Sequence, residues 1–104
     1  MSFNGNEGEF ITLEDGAAMT ARYRSSVEPG TVTGQFVGKE KLIQILNQPG
    51  CVGIRMYYGL GEHNENSVVA VGVDSNENDI TSGYIIDYFI KCPPRCSKQN
   101  ALNS

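Results

Sequence analysis

Apolar positions recur along this chain with two different periods, and the change from one to the other divides it. Leu13, Ala17 and Ala21 are spaced by four and share one narrow helical face. Thr12, followed three residues later by Asp15, forms a capping pattern with Asp where Glu is commoner. The spacing predicts a helix from there to about Ser25. Gly16 costs it up to about 1 kcal/mol relative to alanine, but small residues suit close packing on a sheet. Glu28-Pro29-Gly30 ends this element. Residues 31–37 are β-prone, broken by Gly34, and read as a short edge strand or an ordered loop. A second helix spans about 39–48 with Leu42, Ile43, Ile45 and Leu46 as a wide apolar stripe, and Pro49-Gly50 stops it.

Beyond Gly50 the period becomes two. Cys51–Leu60 places Val52, Ile54, Met56, Tyr58 and Leu60 on one face of a strand, with Cys51, Gly53, Arg55, Tyr57 and Gly59 on the other. Residues 62–66 make a polar turn. Val68–Val73 is apolar on both faces, as a central strand requires. Asp74–Asp79 is the next turn and Gly83–Lys91 the next strand, which Pro93-Pro94 cannot continue. These elements predict an α+β fold: two helices packed on a three-stranded, possibly four-stranded, antiparallel β-meander. Residues 1–9 read as a flexible leader, 10–96 as one domain, and 97–104 as a polar tail.

Two short helices cover about one face of such a sheet. The other face is expected to hold Tyr57, Val68, Ala70, Ile85 and Phe89 side by side. An apolar patch of several hundred Å² usually marks an interface. Either another part of the chain or a second subunit must cover it, and Ala70→Arg is the natural probe of the second case. The third strand carries few defences against edge pairing beyond Asp87 and Lys91. A homo-oligomer, either a dimer or a larger assembly, is the leading expectation for the partner.

Composition narrows the alternatives. The 104 residues carry 8 basic and 12 acidic groups, net −4. That balance argues against nucleic acid, and no apolar run approaches the ~20 residues of a membrane helix. Without a basic start followed by an apolar stretch, the N-terminus does not read as a secretory signal. An odd count of three cysteines favours a reducing compartment, so a cytoplasmic address is expected. Size and acidity also fit an immunity- or antitoxin-type protein that neutralises a basic partner.

Candidate chemistry is sparse, and no cofactor or catalytic residue is expected. Cys92-Pro93-Pro94-Arg95-Cys96 is the most distinctive segment. An extended Pro-Pro run holds its cysteine Cα atoms ~12 Å apart, whereas a disulfide needs less than ~7 Å. A redox pair therefore demands a turn or a cis proline. Zinc would need these two thiolates plus His63 or Cys51. A rigid Pro-Pro segment docking in a partner's groove is a third reading. The plainest is that Pro-Pro ends a strand and the thiols pack as small apolar groups. Asp74-Ser75-Asn76-Glu77-Asn78-Asp79 imitates the start of a calcium loop. It lacks the glycine at position 6 and the glutamate at position 12, and reads as a hairpin turn. His63, between Glu62 and Glu65, reads as a solvated loop residue.

The strings Gly53–Leu60, Val71–Ile80, Cys92-Pro93-Pro94-Arg95-Cys96 and Asn100–Ser104 together resemble a group of small, uncharacterised Bacteroidota-type proteins ending in Cys-Pro-Pro-x-Cys. The similarity covers about residues 36–104. It implies a recurring compact intracellular domain and carries over no activity, cofactor or catalytic residue.

Overall fold

A helix stop followed by a period-two strand gives the observed element order. It runs α1 (Leu13–Ser25), β1 (Gly34–Phe36), α2 (Lys39–Leu46), β2 (Cys51–Leu60), β3 (Asn66–Asp74), β4 (Ile85–Ile86) and β5 (Ile90–Cys92). The structure, a computed structural model, describes residues 2–104. The fold is α+β with two helices and a three-stranded antiparallel meander, β2-β3-β4. The β-prone stretch before α2 does become a strand. However, β1 joins β5 in a separate two-stranded antiparallel sheet, with Gln35 opposite Lys91.

That pairing closes the chain into two compact units where the pattern suggests one domain. The first comprises the residues up to Glu7 with Val37–Phe89, and the second Gly8–Phe36 with Ile90–Ser104. Within the first unit, α2 packs on the meander, against β2 and β3. Its Ile45 is the one large side chain among the described residues that is wholly buried. A methyl group on Gly72 would lie 3.3 Å from Ile45 Cγ2 and 2.8 Å from Gln48 Nε2, so β3 admits α2 there only because it has no side chain at that position.

In the second unit, Thr12 caps α1 as expected, accepting from the Asp15 N–H at 3.1 Å. The stripe of α1 that is partly covered is Gly16, Ala17, Thr20 and Arg24. The expected Leu13/Ala17/Ala21 face is not buried, for Leu13 is exposed. The tail accounts for this shift: Leu102 packs over Gly16, and its carbonyl accepts from Arg24 at 2.6 Å.

The third strand of the sequence pattern is broken in two. Tyr88 adopts φ 60°, a left-handed conformation that no strand tolerates, and it separates β4 from β5. The leader is also anchored within the first unit. The Phe3 N–H donates to the Ser75 carbonyl at 3.0 Å, and Gly5 passes close to the Val52 carbonyl.

Candidate functional site

The two faces of the meander follow from its register. Met56 opposes Ala70, Tyr57 opposes Val69, and Tyr58 opposes Val68; Ala70 opposes Ile86 and Val71 opposes Ile85. One face therefore carries Arg55, Tyr57, Val69, Val71 and Ile85. The opposite face carries Ile54, Met56, Tyr58, Val68, Ala70 and Ile86. The five expected interface residues do not share a face: Tyr57 and Ile85 lie on the first, Val68 and Ala70 on the second. Phe89 is outside the strands and buried. The cause is a one-residue slip, which exchanges every side chain between faces. Gly61 and Glu65 close the β2–β3 hairpin around three residues, with Asn64 at φ 63°. A three-residue connection ending in a left-handed residue pairs odd positions with odd.

Burial separates these residues further. Ala70 is 0% exposed, so it belongs to the core and Ala70→Arg would unfold the unit instead of probing a surface. Tyr57 and Ile85 remain 48% and 56% exposed. On the opposite face, Met56, Tyr58 and Leu60 are 53%, 96% and 67% exposed. These three were expected under the helices. Element length explains why they are bare: α2 has 8 residues and spans ~12 Å, whereas β2 has 10 and spans ~33 Å. Packed at the Gly72 end, α2 leaves the Met56–Leu60 end open. Comparing those two lengths in the sequence would have found them.

The Tyr57 face is polar where the leader meets it. Asp79 accepts from Arg55 at 2.5 Å and from the Tyr57 hydroxyl. The Phe3 ring sits 5.8 Å from the Arg55 guanidinium, within cation–π range. The hydrogen bond from Tyr57, joined by the one from Arg55, holds the Asp79 carboxyl below its ordinary range. The same hydrogen bond to Asp79 raises the Tyr57 hydroxyl, and the Asp79 hydrogen bond raises Arg55. Leader and cluster thus cover one end of this face without reaching Ile85.

The remaining candidates form no chemical centre together. Cys92 and Cys96 are joined by a disulfide with Cα atoms 4.8 Å apart, across two cis peptide bonds at Pro93 and Pro94. Neither sulfur is a thiolate here and only Cys51 is free; the segment makes the turn that a bridge between its cysteines demands. His63 lies on the β2–β3 turn, its backbone N–H donating to Glu65 Oε1. Among the described residues no three His, Cys, Asp or Glu side chains are grouped to hold a metal ion. The calcium-like stretch is a turn: Asp74 Oδ1 accepts from the N–H groups of Asn76 and Asn78 at 2.9 and 3.0 Å. The second unit contains a cleft of about 540 Å³ lined by Arg24, Thr31, Cys92, Ser97 and Ser104. Its one cation, Arg24, is committed to the carbonyls of Leu102 and Ser104. No helix among the described residues is long and apolar enough to cross a membrane.

The chain matches no family model, no curated protein and no solved structure in comparisons with each.

Proposed function

We propose that this chain is a non-enzymatic assembly module that self-associates through its strand-rich half. One observation carries the reading. The open end of β2 presents Met56, Tyr58 and Leu60 to solvent in a row along one sheet face, the kind of contiguous apolar surface that marks an interface.

The thiol–metal alternative loses its ligands to the Cys92–Cys96 bridge. A bridge of this kind fits an oxidising compartment better than a reducing cytoplasm and counts against the expected address. The acidic-inhibitor alternative rests on small size, acidity and an N-terminus that does not read as a secretory signal.

Sedimentation at micromolar concentration tests the proposal. The expected particle is a multiple of 11.3 kDa. Tyr58→Lys with Leu60→Lys returns it to one chain while the circular dichroism spectrum is kept. A strict monomer before any substitution overturns the reading.

A further inference from the structure

The long free edge of the meander has a defined hydrogen-bonding pattern. The order β2-β3-β4 leaves β2 at the border of its sheet, and no backbone group of the described residues pairs with Ile54–Leu60 from outside. The Gly61 N–H donates to the Glu65 carbonyl at 2.9 Å, so this is a hydrogen-bonded pair of the ladder. Such pairs recur at every second residue, which turns the backbone groups of Gly59, Tyr57 and Arg55 inward to β3. On β3 the Gly72 carbonyl, opposite Ile54, accepts from Ile80 on the far side at 2.8 Å, as this alternation requires. Ile54, Met56, Tyr58 and Leu60 therefore point both N–H and C=O at open solvent.

We propose that this edge pairs antiparallel with β2 of a second copy, about a two-fold axis at Tyr57, to make one continuous sheet. The inference rests on the assembly reading and gives it a register. With Tyr57 opposite Tyr57, Met56 exchanges both backbone hydrogen bonds with Tyr58 of the second copy, and Ile54 does so with Leu60. Every outward group of the four residues is then satisfied, which a shift of two residues in either direction would not achieve. The side chains agree. Met56, Tyr58 and Leu60 from both copies merge into one apolar stripe on a single face. Arg55, the only charged residue of β2, comes opposite Gly59, so neither like charge nor bulk opposes pairing. An edge strand this long with no proline or lysine lacks the usual protections against such addition.

Two variants test the register. In the Cys51→Ser background, Tyr57→Cys sits opposite itself at a non-hydrogen-bonded pair, where Cα atoms approach to ~4.5 Å, and mild oxidation should give a covalent dimer in high yield. Tyr58→Cys, which meets Met56 instead, should give little. Met56→Pro removes an outward N–H while sparing the β2–β3 ladder, and should raise the dimer dissociation constant roughly 100-fold. An oligomeric parent whose Tyr57→Cys variant fails to cross-link, or cross-links no better than Tyr58→Cys, overturns the edge pairing and leaves assembly standing. A parent that sediments as a monomer overturns both. If Met56→Pro fails to fold, the cross-linking pair alone decides.

Discussion

At the scale of single residues, Arg55, Tyr57 and Asp79 form the most tightly bonded polar group of the first unit. Asp79 has its folded pKa depressed by its two donors. Its stabilising contribution is complete above the ordinary carboxylate value of about 3.9 and is lost as pH falls through the lower folded value. Tyr57 runs the other way, because its folded pKa is raised. Its contribution is complete below about pH 10 and disappears as pH rises through the folded value, when a phenolate would face the Asp79 carboxylate. Asp79→Asn should therefore flatten both arms of the stability profile. Urea midpoints measured from pH 2 to 11 check this, and a variant whose profile parallels the parent's would show that the cluster is not coupled to folding. Gln48 is a second such residue. Its Nε2 donates to the Ile45 carbonyl and its Oε1 accepts from the Tyr84 N–H, both at 2.9 Å. A methyl group on Gly83 would lie 1.9 Å from that Oε1. Gly83→Ala must expel the side chain and should cost about 1–2 kcal/mol. Gln48→Ala should cost a similar amount, and the double variant little more than either. Denaturant titration of the three proteins measures the coupling.

At the scale of elements, the sequence is informative wherever one local rule decides. Thr12 and Asp15 start α1 and alternation from Cys51 to Leu60 makes β2, both where the pattern puts them, while α2 begins at Lys39 as expected and ends at Leu46, two residues short of its expected bound. What the pattern misses depends on geometry set elsewhere. The parity of β3 against β2 is fixed by a three-residue turn whose left-handed residue is an asparagine, and polar turns of other lengths read the same. Tyr88 gives no warning that it will break a strand, since a bulky residue at positive φ is rare. The Cys-Pro-Pro-Arg-Cys segment is ambiguous because its bridge depends on the local backbone path, although the condition that the path must turn is legible. A disulfide across so short a loop stabilises modestly, by about 2 kcal/mol in the chain-entropy account. Reduction, or Cys92→Ser with Cys96→Ser, should remove that amount. It should also speed hydrogen exchange at Thr33, bonded to the Cys92 carbonyl, and at Arg95, bonded to that of Lys91. Unchanged exchange at both amides would show that the bridge does not hold β5 in place.

At the scale of the whole molecule, the governing quantity is the surface that the chain leaves wet. Its buried apolar core comprises Ile45, Ala70, Val71, Val73 and Phe89, few residues against the conformational entropy of a chain this long. Meanwhile Phe10, Tyr58 and Tyr88 lie almost fully in solvent. Exposed aromatic surface on this scale favours burial by association, and in the proposed assembly the folded state would share the mass-action behaviour of the oligomer. For a dimer that unfolds to separate chains, a tenfold rise in concentration shifts the balance by about 1.4 kcal/mol per dimer. Shared between two chains of this size, that raises Tm by about 3–5 °C. Melting followed by circular dichroism at 2, 20 and 200 µM should give this staircase for the parent, and a flat response for Tyr58→Lys with Leu60→Lys at a lower Tm. A parent Tm independent of concentration, with the reversible transition intact, would mean that the exposed strip adds nothing to folding through self-contact.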